Sequence, residues 1–189
     1  MILNPGYYTE NDLKDVGFKM LGTNVSISKN STFVGVENIS IGNNVRIDGN
    51  VTFAVASGHI KLGNYIHIGG SSHINGTGGV EILNFCTISQ GVRIYSASDD
   101  YSGESYTNPT VPMYLKKLNI AKVILNEHVI IGSGSVLLPG VELGQGAAVG
   151  ALSLVNANLL PWSIYAGSPI KKLNSRSKNL LKLDWVGVN

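Results

Sequence analysis

The chain reads as an all-β solenoid, a stack of triangular coils built from six-residue repeats. Three observations predict this. Aliphatic residues recur at every sixth position from Leu125 through Ile131, Leu137, Leu143 and Val149 to Val155. The fifth residue of each hexad is small or β-branched, as at Val129, Ser135, Val141, Ala147 and Ser153. Glycine often stands second, as at Gly132, Gly144 and Gly150. A helix would repeat near 3.6 residues and a half-buried strand near 2, so neither produces a period of six.

In this geometry each hexad is a short strand followed by a tight turn. Positions one and five face inward, and the corner Gly or Asn accepts a positive φ that other residues resist. Three hexads close one coil of about 18 residues, and coils pair strand on strand at about 4.8 Å. One coil cannot bury its own inner face, whereas a stack can. The fifth residue is small because three walls converge on a narrow axis. Cys86 occupies such a position and is expected to point inward as a small apolar residue.

Taken from the N-terminus, residues 1–23 read as a cap, with Leu13, Val16, Phe18, Met20 and Leu21 spaced roughly as on a helix. Residues 24–173 read as the solenoid. Ile41, Ile47 and Phe53 form one run, Leu62, Ile68 and Ile74 a second, and Ile82, Ile88 and Ile94 a third. The step from Phe53 to Leu62 is nine and that from Ile74 to Ile82 is eight, which marks corner insertions. From Ile94 to Leu125 the step is thirty-one, so residues 95–122 leave the wall as a long loop. A loop of this length inside a compact solenoid is usually functional. Residues 174–189 read as a tail in which a departing strand gives way to a short basic helix. Caps are expected because an open solenoid end exposes strand edges.

Charged residues make up 14% of the 189-residue chain, against about 25% in ordinary soluble domains. Such a surface is expected to be covered in part, most simply by other copies of the chain. A net charge of +2 without a basic run argues against binding a nucleic-acid backbone. One cysteine permits no intrachain disulfide. No charged start precedes an apolar stretch, and no run of about 18 apolar residues occurs. The expectation is a cytoplasmic protein without a signal peptide or membrane insertion.

The hexads, together with the ending "IYAGSPIKKL", resemble the hexapeptide-repeat acyltransferases over roughly residues 24–173. That resemblance implies a left-handed parallel β-helix, where the general crossover preference would give the right hand. Three hexads ending in "RIYSASDD", a long loop and a restart at "VILNEHVIIGSGS" resemble the galactoside, maltose and polysaccharide O-acetyltransferase branch. The branch implies a homotrimer, acetyl-CoA as co-substrate in a groove between subunits, and a carbohydrate acceptor beside the loop.

In that branch a histidine closes the hexad before the loop and acts as general base. Here the matching residue is Asp99, followed by Asp100. Asp99 is therefore a candidate base, with Asp100 able to raise one carboxyl by like-charge repulsion. A carboxylate is a weaker base than imidazole and would need desolvation. The alternative bases are His67 and His73, which close successive hexads and face outward, and His128, also outward, in the restart hexad. His59, in the "ASGHI" insertion, reads as structural. By position in the matching repeats, Ser133 and Ala151 correspond to residues lining the pantetheine groove, and Lys171 to a basic residue near the CoA phosphates, with Lys172 beside it. Asn156-Ala157 stand where the family often has a Thr followed by Lys or Arg, which removes one basic group from that site. Tyr101, Tyr106, Asn108 and Tyr114 are candidates for an aromatic floor under a sugar.

The function expected from these residues is acetyl transfer to a sugar hydroxyl of a surface-polysaccharide or nucleotide-sugar acceptor. The amine of an amino-sugar nucleotide is the alternative, because an amine needs less help from a base. A non-catalytic trimeric scaffold and a γ-carbonic-anhydrase-like metal enzyme are weaker alternatives. No metal is expected, since the chain has no His-x4-His pair.

Overall fold

The computed structural model describes residues 5–183. Three parallel walls rise together along one axis. The first holds Met20–Leu21, Ile39–Ile41, Ile60–Leu62, Val80–Ile82, Val123–Leu125 and Glu142–Leu143. The second holds Ser26–Ile27, Val45–Ile47, Ile66–Ile68, Thr87–Ile88, Ile130–Ile131, Ala148–Val149 and Ser163–Ala166. The third holds Thr32–Val34, Thr52–Ala54, His73–Asn75, Arg93–Tyr95, Val136–Leu137 and Leu154–Val155. Repeat positions stack in register, so that Ile82 pairs with Leu62 on one side and Leu125 on the other. The predicted triangular solenoid is thus the observed one.

The hexad period fixes which side chains face in. Ile41, Ile47, Phe53, Ile68, Ile74, Ile82, Ile88, Ile94, Leu125, Ile131, Leu137 and Leu143 are all fully buried. The fifth positions Val45, Val51, Cys86, Val92, Val129, Ser135 and Ala147 join them on the axis. Ser135 and Ser153 can lie there because their hydroxyls both donate to the Gly150 carbonyl, at 3.0 and 2.7 Å. Cys86 points inward as expected, and burial pushes its thiol up to about 12.

The corner between the first and second walls shows why its residues are chosen. Asn24, Asn44, Tyr65, Phe85, His128 and Trp162 all take φ between 51° and 62°. Asparagine side chains at the neighbouring position bridge coils: the Asn64 and Asn84 carbonyl oxygens accept from the backbone N–H of Asn43 and Asn64 at 2.7 and 2.8 Å. The rings of Tyr65, Phe85 and His128 stack at 5.1 and 5.0 Å, which offsets the cost of the left-handed backbone. In the same column Gly146 (φ +67°) lies against the Trp162 ring, where any Cβ would collide.

The ends differ in detail from the sequence reading. The N-terminal helix is only Glu10–Lys14, with a Thr9–Asp12 capping box and Leu13 buried on the core. Met20 and Leu21 belong to the first wall, so parallel pairing begins inside the segment read as a cap. Of the five residues in that helix-like spacing only Leu13 is buried, while Val16 and Met20 are exposed. Phe18 meets Phe33 edge-on at 5.4 Å, and Phe33 stacks on Phe53 at 4.9 Å, closing the N-terminal opening. At the other end Lys171–Ser175 folds back antiparallel on Ser163–Ala166 and is followed by a single 3-10 turn at Asn179–Lys182. The remainder of the predicted tail helix, residues 184–189, lies outside the described residues.

The long loop leaves after Tyr95, which stays in the third wall. It departs and returns on a two-stranded ribbon, Ala97–Ser98 against Asn119–Ile120, and the first wall resumes with Val123 opposite Val80. We call residues 97–120 the arm. Since Phe53 is fully buried and stacked, Phe53→Ala should cost about 3–5 kcal/mol of stability. Chemical denaturation at fixed protein concentration measures it.

Candidate active site

Side chains on the outer face of a wall are set by the same period, at positions six and two of the hexads. On the third wall these include Val136, Leu138 and Leu154, all half-buried. They form the apolar side of a groove whose other side is Tyr95, Asp99, Tyr101, Asn119 and Asn156. Asp99 therefore lies where wall and arm meet. Its Oδ2 accepts from the Asn108 backbone N–H at 3.4 Å, a long bond that leaves the carboxylate available to the groove. A carboxylate against an aliphatic floor can accept a proton from a reacting amine or hydroxyl.

A second groove follows the corner between the second and third walls. Its lining runs from Asp48 and Asn50 past Ser71 and Gln90 to Ser133 and Ala151. Ser133 and Ala151 are thus brought together, one coil apart, with backbone exposed between them. The column continues upward: a Cβ on Gly150 would stand 3.0 Å from the Ala166 Cβ, and Ala166 pairs with Lys171. Lys171 and Lys172 are exposed at that upper end. The corner groove therefore offers an extended, narrow track with cations at one end.

The histidines separate. His73 sits on the outer third wall one coil below Arg93, and its ring lies 5.7 Å from that of Tyr95. Burial, with a smaller contribution from Arg93, lowers its pKa and keeps it neutral. His67 faces out from the second wall, where its Nε2 is 2.8 Å from Asp48 Oδ2. Asp48 also accepts from Arg46 Nε at 2.8 Å and from the Tyr7 hydroxyl at 3.2 Å. Burial alone would raise Asp48, but His67 and Arg46 outweigh it and hold the carboxyl low. His128 is a rung of the corner stack, between Phe85 and Trp162, and far from the third-wall groove. A residue four places into a hexad stands at the corner, which puts His128 in that stack (φ 62°). His59, in the insertion read as structural, meets Glu81 at 3.1 Å.

Asp100 also departs from expectation. It accepts from the Ser102 hydroxyl at 2.7 Å, the Ser102 N–H at 2.8 Å and the Ser105 hydroxyl at 3.1 Å. Those bonds, the Ser102 hydroxyl first, hold it at about 2. It is a turn acceptor that shapes the arm, and repulsion from Asp99 does not raise it. Asn108 (φ 72°) is likewise a turn residue, its side-chain oxygen accepting from Thr110 N–H at 2.9 Å. Tyr101 lines the Asp99 groove, whereas Tyr106 and Tyr114 line a separate cleft within the arm. Among the described residues no three His, Cys, Asp or Glu side chains gather to hold a metal ion. No helix among them is long and apolar enough to cross a membrane.

Comparison with known proteins decides the family. A dTDP-4-amino-4,6-dideoxy-D-glucose acyltransferase of Escherichia coli is 45% identical over 180 residues, covering 95% of this chain and 94% of the relative. The chain belongs to the hexapeptide-repeat acyltransferases. Within them its near full-length relatives are dTDP-amino-sugar acyltransferases. A crystal structure of an N-acyltransferase from Bacillus cereus, in complex with dTDP and 3-hydroxybutyryl-CoA, is 40% identical with a TM-score of 0.90, covering 95% and 94% of the two chains. A serine-to-alanine variant of that enzyme, holding dTDP-4-amino-4,6-dideoxyglucose and coenzyme A, matches with a TM-score of 0.91 at 39% identity over 95% of each chain. No protein-family model matches the chain.

In this acyltransferase the outer third-wall residues Val136, Leu138 and Leu154 were not singled out from sequence. The signal was present, since the period places all three outward and they are apolar where a solvated wall would be polar. The arm's internal bonding also makes a pH prediction. Asp100 is depressed in the folded state, so its support of the arm is complete above the ordinary aspartate value of about 4. That support is lost as the pH falls towards about 2. Amide protection in residues 102–106, taken relative to the intrinsic exchange rate at each pH, should fall over that window in wild type and be low throughout in Asp100→Ala.

Proposed function

We propose that the protein transfers an acyl group from coenzyme A to the 4-amine of a dTDP-linked amino sugar. The observation that carries this reading is the near full-length similarity to the dTDP-amino-sugar acyltransferases. The amine thereby takes precedence over the sugar hydroxyl expected first. The chemistry agrees with Asp99 in place of the branch histidine. A neutral amine attacks a thioester without prior deprotonation, so a carboxylate suffices to take the proton released on attack. A hydroxyl needs a stronger base at the same position.

In the reaction the amine nitrogen bonds to the thioester carbonyl carbon and the carbon–sulfur bond breaks. Asp99 takes the amine proton and gives it up to the leaving thiolate, so that the products are the amide and free coenzyme A and the carboxylate is restored. Ser133 and Ala151 would let the pantetheine arm approach the backbone, and Lys171 and Lys172 would meet the phosphates. The Bacillus cereus structures include variants of an aspartate and of a serine ten residues apart. Ser89 and Asp99 are the one serine–aspartate pair with that order and spacing in this chain. Ser89 follows the second-wall strand at the corner groove, and Asp99 lies at the opposite edge of the third wall. A site using both would join one copy's corner groove to another copy's arm, which supports a homotrimer with shared sites. Nucleotide sugars and acyl-CoA are both cytoplasmic metabolites, consistent with reaction there.

The test is thiol release from acetyl-CoA with dTDP-4-amino-4,6-dideoxyglucose against dTDP-glucose. Turnover with the amine alone is expected; turnover with the hydroxyl sugar alone would overturn the reading. Asp99→Asn should lower kcat by about 100-fold or more while coenzyme A still binds. His128→Ala should leave kcat within about twofold of wild type. Lys171→Gln should raise the KM for acyl-CoA, with the difference shrinking at high salt.

A further inference from the structure

Ser96 stands between the third-wall strand and the arm, and it is completely buried. Ser135 and Ser153, also buried, occupy inward fifth positions, whereas Ser96 is third in its hexad, where the repeat asks for no inward side chain. Its hydroxyl donates to the Asn75 carbonyl at 2.6 Å and accepts from the Gly78 N–H at 2.9 Å. Its own N–H donates to the Asn75 carbonyl at 3.2 Å, and its carbonyl accepts from the Ala121 N–H at 3.0 Å. Ser96 thus joins the arm's exit, the arm's return and the corner one coil below.

That corner is shaped to receive the arm. The step of eight from Ile74 to Ile82 adds two residues there. The Asn75 side-chain oxygen accepts from the Thr77 N–H at 3.1 Å and turns the chain. The Gly79 carbonyl accepts from the Val123 N–H at 3.0 Å, which ties down the segment where the first wall resumes. Gly78 admits no side chain: a Cβ would collide with the Ser96 carbonyl oxygen and stand 3.0 Å from the Ala121 nitrogen. Glycine is required here by the closeness of the arm.

Beyond this seat the base of the arm is a ribbon of two residues on each side, Ala97–Ser98 against Asn119–Ile120. So short a ribbon cannot fix its own direction. Ser98, Asp99 and Asn119 all line the third-wall groove, so the direction set at Ser96 decides where Asp99 stands. A reacting group displaced by about 1 Å can lose on the order of 100-fold in rate.

We infer that Ser96 is a positioning residue: seated on the corner formed by residues 75–79, it aims the arm so that Asp99 stands at the groove. The inference rests on the acyl-transfer reading above and adds to it a buried residue outside the groove lining. The two-residue insertion at that corner thereby has a role, as the seat of the arm.

The experiment is a double-mutant cycle on the full-length protein: wild type, Ser96→Ala, Asp99→Asn and the two combined. Thiol release from acetyl-CoA with dTDP-4-amino-4,6-dideoxyglucose gives kcat and the KM for acetyl-CoA, and calorimetry gives coenzyme A affinity. Ser96→Ala should lower kcat by about 10- to 100-fold alone and by no more than about twofold in the Asp99→Asn background, because its effect passes through that carboxylate. A general loss of folded protein would lower both backgrounds alike. Coenzyme A affinity and the KM for acetyl-CoA should be unchanged, since Ser133 and Ala151 line a different corner. Gly78→Ala, which leaves both Ser96 and Asp99 in the chain, should lower kcat to a similar extent. If Ser96→Ala costs the same in both backgrounds, or abolishes coenzyme A binding, Ser96 supports only the fold and the inference is overturned. If Asp99→Asn lowers kcat while Ser96→Ala and Gly78→Ala do not, the inference is wrong and the proposed function stands. If Asp99→Asn keeps the wild-type kcat, or wild type turns over no dTDP-amino sugar, the reading of the site fails and the inference fails with it.

Discussion

Each coil depends on its neighbours for its backbone hydrogen bonds. Nearly all wall strands are two or three residues long, too short to be stable alone. Their N–H groups donate to carbonyls one coil away, as from His67 to Cys86 at 3.2 Å and from Thr87 to Val129 at 2.9 Å. Register is thereby shared along the whole stack. A one-residue slip in any strand would turn its buried aliphatic outward and leave polar groups unpaired on the axis. Serines on the axis, the asparagine bridges and the stacked corner rings all conform to that register.

A fixed register also frees certain positions. Corners can absorb insertions as long as the next inward residue lands on the column, which Leu125 does over Ile82 after the whole arm has intervened. The arm can therefore be specialised without disturbing the core. Outward positions are likewise free of the core's demands, so the third wall can present Val136, Leu138 and Leu154 to a groove while the second presents the Asp48–His67 pair. Both grooves are lined by positions the solenoid does not need for itself.

Adjacent carboxylates show how local bonding separates two similar groups. Asp99 and Asp100 are neighbours in sequence, but Asp100 is turned into the arm and saturated by serine donors. Asp99 faces the groove with a single long bond. Only one of the two carboxylates is turned to the groove.

The fold was legible because a period of six repeated over most of the chain leaves one arrangement that buries every first and fifth residue. The same logic identified Cys86 as internal and a long excursion between Ile94 and Leu125, although Tyr95 itself stays in the wall. Some positions were legible too: Asp99 at the mouth of the loop, where it lines a groove, and Ser133 and Ala151 as small residues on one corner. Other assignments needed the tertiary structure. Sequence could not say that His128 occupies a corner stack, that Asp100 caps a turn, or that Tyr101 parts from Tyr106 and Tyr114. Nor could the helix-like spacing of Met20 and Leu21 reveal a first-wall strand. By itself the sequence determined the coil, because inward burial follows a strict repeat. Only the tertiary structure decided which outward and arm residues meet, because those contacts join non-repeating segments whose directions no period encodes.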